Sequence, residues 1–171
     1  MTETHLAEIL SGLQAAMRAE FEGYHFYMLA AENTTDVRGR EAFRQLASDE
    51  FEHMNTLQAQ FDSITRTQQP DAGLRLKQIP PFPDKNPIFS EDIKTRLKEA
   101  HYEMTVLSVG IQLELNAMQQ YRDLAAKAAD KTVSQFFMEL CEWEDSHYRT
   151  LLAQQDALKE EYWAANHFHP Y

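Results

Sequence analysis

Apolar and polar residues along this chain recur in steps of three and four over four long stretches, the spacing that keeps side chains on one face of an α-helix. From Thr4 to about Asn33 the stepping passes through Leu13, Met17, Glu20, Tyr24, Tyr27 and Ala31. After the polar run 33–39, read as a turn, it resumes at Phe43, Leu46, Glu50, His53 and Leu57. A third stretch runs through Leu107, Gly110, Glu114, Ala117, Tyr121 and Leu124 to about Ala129. A fourth, from about Lys131 into Trp163, shows Val133, Phe137, Leu140, Glu144, His147 and Leu151. Segment 69–90 holds Pro70, Pro80, Pro81, Pro83 and Pro87, so it predicts a long irregular connection. Ser90, followed by Glu91 and Asp92, is the expected N-cap of the third helix. The pattern predicts an all-α fold, a four-helix bundle made of two helical hairpins joined by a long crossover. Its domain spans residues 1–160, with an aromatic tail over 161–171.

The two halves repeat. Shifted by 94 residues, Glu20 falls on Glu114, Tyr27 on Tyr121, Phe43 on Phe137, Leu46 on Leu140, Glu50 on Glu144, His53 on His147 and Leu57 on Leu151. Each half thus offers one glutamate and, 30 residues later, a Glu-x-x-His. All six of these polar residues share the register of the apolar stripes and so point at the core. Four buried carboxylates facing one another are prohibitive as anions without compensating charge. No lysine or arginine occupies those stripes, which leaves bound metal as the simpler compensation.

Residues three apart share a helix face, so Glu50 with His53, and Glu144 with His147, each present an oxygen and a nitrogen to one centre. Glu20 and Glu114 complete a set of four carboxylates and two imidazoles. That set suits two iron or manganese ions and lacks the thiolates of structural zinc sites. One Glu from each of two helices, with a Glu-x-x-His from each of the others, is the ligand arrangement of di-iron carboxylate bundles.

Composition narrows the partners. Across 171 residues, 27 acidic side chains oppose 16 Lys plus Arg, for a formal charge of −11, which repels phosphate backbones and anionic lipid. Neither a nucleic acid nor a membrane is expected as a partner. The lone Cys141 rules out an internal disulfide or a cysteine-held cluster within one chain and reads as a small buried hydrophobe. The opening MTETHLAEIL has no basic-then-apolar signal pattern, and a reducing, cytoplasmic setting is expected.

Over roughly residues 6–160 the sequence resembles the rubrerythrin family of the ferritin-like superfamily. The resemblance rests on Glu20 with Phe26-Tyr27, Glu50-Phe51-Glu52-His53, Glu114 with Tyr121, and Glu144-Asp145-Ser146-His147. It implies a cytoplasmic homodimer whose di-iron site reduces hydrogen peroxide or reacts with dioxygen. By the same resemblance, Glu50 and Glu144 bridge the ions, and Glu20, Glu114, His53 and His147 are terminal ligands. Tyr27 and Tyr121 match tyrosines that hydrogen-bond ligand carboxylates. Many rubrerythrins add a rubredoxin-type domain with paired Cys-x-x-Cys motifs. This chain has only Cys141, so its electron donor would be external, such as a rubredoxin-like protein. Rubrerythrins proper also carry an extra glutamate where this chain has Ala117, with Gly23 at the equivalent place in the first half. The six-residue set is therefore similar to that of bacterioferritin, and a ferroxidase serving iron storage or delivery is the alternative activity.

The remaining histidines, His5, His25, His101, His167 and His169, miss the inward stripes or lie at the ends and are expected at the surface. The tail Tyr162–Tyr171 is expected to pack across its own bundle or a neighbour's.

Overall fold

The computed structural model describes residues 3–74, 88–90 and 101–165. Within them the chain forms α1 (Glu3–Asn33), α2 (Val37–Thr67), α3 (His101–Lys127) and α4 (Lys131–Ala165). The expected start of the third helix, most of the crossover and the end of the tail lie outside the described residues. α1 packs along α2 and α3 along α4, giving two hairpins, and α1 also meets α3. The architecture is the four-helix bundle expected from the periodicity. None of the described helices is long and apolar enough to cross a membrane.

The turns explain where the helices begin. Asp36 is the N-cap of α2: its backbone is extended and its carboxylate accepts the Gly39 N–H at 2.8 Å. Val37, Arg38 and Gly39, read from sequence as part of the turn, therefore form the first turn of α2. Asp130 acts in the same way at α4, accepting the N–H groups of Thr132 at 2.8 Å and Val133 at 3.2 Å. The two caps are related by the same 94-residue shift, so the repeat extends beyond the stripes. Asp36 also accepts from the Ser90 N–H and hydroxyl, tying the end of the crossover to the first hairpin. α2 ends at Gln68, whose left-handed backbone (φ 57°) directs its N–H back to the Ile64 carbonyl.

The core lies in two apolar layers. One contains Tyr27, Phe43, Leu46, Leu107 and Leu151; the other contains Leu13, Leu57, Tyr121, Phe137 and Leu140. The shift converts one set into the other, so the two halves are related by a pseudo-twofold axis and each contributes to both layers. Tyr27 stacks on Phe43 and Tyr121 on Phe137, with ring centroids 6.5 and 6.2 Å apart. Gly110 permits close approach of α3 to α1: a Cβ there would lie 3.2 Å from the Tyr27 hydroxyl and from Leu151 Cδ1. Cys141 is buried, as its reading as a small hydrophobe requires.

Candidate metal centre

The polar residues on the stripes meet at the middle of the bundle. Glu20, Glu50, His53, Glu114, Glu144 and His147 are each at most 4 % exposed. They form two overlapping groups, Glu20 with Glu50, His53 and Glu144, and Glu50 with Glu114, Glu144 and His147; within each group the donor atoms lie within 4.8 Å of one another. Glu50 and Glu144 belong to both.

The distances show how that sharing arises. His53 Nδ1 lies 3.0 Å from Glu144 Oε1, 3.3 Å from Glu20 Oε2 and 3.6 Å from Glu50 Oε2. His147 Nδ1 lies 3.5 Å from Glu144 Oε2, 3.7 Å from Glu50 Oε1 and 3.9 Å from Glu114 Oε2. Glu50 and Glu144 each turn one oxygen toward each imidazole, while Glu20 and Glu114 serve one side apiece. The imidazoles stack with centroids 5.7 Å apart.

Two tyrosines cross the bundle to this cluster. The Tyr27 hydroxyl on α1 donates to Glu114 on α3, and the Tyr121 hydroxyl on α3 donates to Glu20 on α1. Each glutamate that serves one side has one oxygen held by a phenol and the other left toward a histidine. Gly23 sits against Glu50, where a Cβ would lie 3.3 Å from its Cδ. Ala117, the equivalent residue in the second half, is partly buried and carries no donor.

Sequence reasoning passed over Asp49 and Trp143. Buried Asp49 places Oδ2 3.4 Å from His147 Nε2. The Trp143 ring meets His53 edge to face at 5.3 Å. Both follow the same stepping as the sites, 46–49–53 and 140–143–147, which is the signal by which they were legible. The other described histidines stay away from the cluster: His25 is exposed against Phe21 and Tyr24, His101 is exposed, and His5 accepts the Ala129 N–H at 2.9 Å. His167 and His169 lie outside the described residues.

Electrostatics make the cluster hungry for cations. Burial, with the neighbouring Glu144 and Glu50 carboxylates, raises the Glu20 carboxyl well above the ordinary glutamate range. Burial and the same two neighbours raise Glu114 likewise. Burial works against charged His53, but the adjacent Glu144 overrides it and the imidazole holds its proton well above the usual value. His147 behaves alike, because Asp49 and Glu144 outweigh its burial. Burial would raise Glu144 too, yet the two imidazoles hold it well below the ordinary range. Without metal, protons must supply the positive charge, since no lysine or arginine is among the buried described residues.

The donor set fits metal on its own terms. Both Glu144 oxygens and His147 Nδ1 are buried without a well-directed hydrogen bond, and all three face the cluster. Unpaired buried polar atoms of this kind are costly unless something binds them. Two overlapping groups of three carboxylates and one imidazole are what a di-metal site requires, with the oxygen and nitrogen donors that iron and manganese accept.

Neither a curated relative nor a solved structure matches the chain. The pattern that defines the rubrerythrin family matches residues 12–155, which include both Glu-x-x-His pairs, both tyrosines and all six clustered ligand candidates; the chain belongs to the rubrerythrin family.

Proposed function

We propose that this protein is a non-haem di-iron oxidoreductase that reduces hydrogen peroxide, or reacts with dioxygen, with electrons from an external donor. The observation that carries this reading is the way Glu50 and Glu144 divide their oxygens between the two imidazoles. Two positions that share two carboxylates lie close enough together to act on one small oxidant. Glu20 and His53 would complete one position, Glu114 and His147 the other. Two iron ions held there would supply paired one-electron chemistry, matching a reaction in which one peroxide, two electrons and two protons give two waters.

The chain's own residues do the rest. Tyr27 and Tyr121 fix the outer oxygens of Glu114 and Glu20, so the free oxygens keep their direction. The apolar layers on either side exclude bulk water and strengthen every charge interaction between them. Cys141 is buried, and the proposal draws the two electrons from a separate donor, a rubredoxin-like protein or one of similar potential. A cytoplasmic homodimer is the form this proposal expects.

A second reading, ferrous oxidation for storage or delivery, is favoured by Gly23 and Ala117. Neither Gly23, which lies against Glu50, nor Ala117 offers a further carboxylate to support ligand exchange during peroxidase turnover. There iron is the substrate and is released, whereas in the first reading it stays bound.

Adding hydrogen peroxide to the anaerobically iron-loaded, reduced protein tests the first reading. Both ferrous ions should oxidise with one equivalent of peroxide and remain bound. Iron that stays ferrous excludes the peroxidase activity, and iron that oxidises and leaves the protein points to the storage reading.

A further inference from the structure

The 94-residue repeat matches the ligand candidates of the two halves, yet it breaks at the residue just before each shared glutamate. Asp49 precedes Glu50, and Trp143 precedes Glu144. Each abuts the histidine of the opposite hairpin from behind: Asp49 lies 3.4 Å from His147 Nε2, and Trp143 meets the His53 ring at 5.3 Å. Behind His147, therefore, stands a carboxylate, whose other oxygen is held by the Gln45 amide at 2.8 Å. Behind His53 stands an indole, and His53 Nε2 is buried with no hydrogen-bond partner.

Both positions draw on the same inventory of three carboxylates and one imidazole, so the difference in residue type between them lies in this outer layer. An acceptor at Nε2 keeps the proton there, frees the Nδ1 lone pair for a cation and makes the imidazole more basic. The Gln45–Asp49–His147 chain supplies all three effects, and Asp49 adds a negative charge near that position. His53 has no such acceptor among the described residues, and its tautomer is not fixed from behind.

Resting on the di-metal reading above, we propose that the two cation positions are unequal. Asp49 is a positioning residue that makes the Glu114–His147 position the first filled and the last emptied. The Glu20–His53 position, backed by Trp143, is the exchangeable one.

Titrating cobalt(II) anaerobically into the full-length metal-free protein, followed by calorimetry and by the visible cobalt bands, tests this. Two ions should enter in two resolved steps, the tighter one lost in His147→Gln and the weaker one in His53→Gln. Asp49→Asn keeps the shape and removes the charge. It should weaken the tighter step alone, by about 10- to 100-fold, and leave the circular dichroism of the metal-free chain unchanged. Trp143→Asp, where it folds, should tighten the weaker step. Asp49→Asn decides the matter by itself if Trp143→Asp does not fold. Two ions that bind in one step, or an Asp49→Asn titration that moves both steps or neither, overturn the inequality while the di-metal reading stands. A wild-type chain that takes up no cobalt, iron or manganese sinks both.

Discussion

The phenol of Tyr27, on α1, donates its proton to Glu114, on α3, across the middle of the bundle. The bond ties the first hairpin to the second at the carboxylate that serves the His147 side. The ring itself is fully buried and stacks on Phe43. Tyr27→Phe keeps that packing and removes the donor, leaving a buried glutamate oxygen unsatisfied at a cost of about 1–3 kcal/mol. The metal-free variant should show this as an earlier urea midpoint with an unchanged denaturant slope. Tyr121→Phe should cost about the same, because Tyr121 makes the mirror bond to Glu20. A midpoint unmoved in both would mean that the phenols contribute packing only.

The sharing of Glu50 and Glu144 makes metal content an arithmetic test. Glu50→Ala removes an oxygen from both groups, whereas Glu20→Ala or Glu114→Ala removes one from a single group. Metal analysis after iron loading and desalting should find both ions lost from Glu50→Ala. Glu114→Ala and Glu20→Ala should each retain about one ion. Equal retention in all three variants would argue against carboxylates common to two ions.

The bundle and the convergence of six polar side chains were legible in the sequence because both follow from one periodicity. A residue in step with Leu46 and Leu57 has to face inward, whatever its chemistry, and Glu50 and His53 are in step. The repeat then doubled the signal. What stayed hidden was of two kinds. Asp49 and Trp143 lie on the inward stepping, but unlike residue types at equivalent positions offer no match to notice, so the asymmetry they create emerges only from distances. The start of α2 was misplaced because Val37 and Gly39 have poor helix propensities, and the Asp36 cap outweighs them.

That same first turn carries a packing constraint. Gly39 is buried beneath the Phe89 ring, and a Cβ there would lie 2.6 Å from Phe89 Cε1 and 3.1 Å from the Thr34 methyl. Alanine normally gains up to about 1 kcal/mol over glycine inside a helix. Here the ring would have to move from a buried site shared with Phe43, at an overpacking cost of about 1–3 kcal/mol. Gly39→Ala should therefore destabilise the protein in thermal unfolding, against its helix propensity. A rise in melting temperature would show that Phe89 is free to shift.

Proton linkage gives the last prediction, and its sign follows from the cluster. Glu20, Glu114, His53 and His147 all hold protons more tightly folded than unfolded. Wherever the folded state binds more protons, stability falls as pH rises. For the two glutamates that loss begins above the ordinary carboxylate value of about 4.3, and for the two histidines above about 6.5, each running up to the raised folded value. Glu144 acts oppositely, losing stability only as pH falls below the ordinary glutamate range, so it does not oppose the trend at neutral pH. The metal-free protein should thus melt at progressively lower temperature between about pH 5 and pH 9. Bound metal replaces those protons as the source of positive charge, and its affinity rises as the ligands deprotonate. The gap in melting temperature between metal-loaded and metal-free protein should consequently widen with pH. Scanning calorimetry of both forms across that range checks it, and a metal-free profile that is flat or rising would contradict the picture of a cluster held together by protons in the absence of ions.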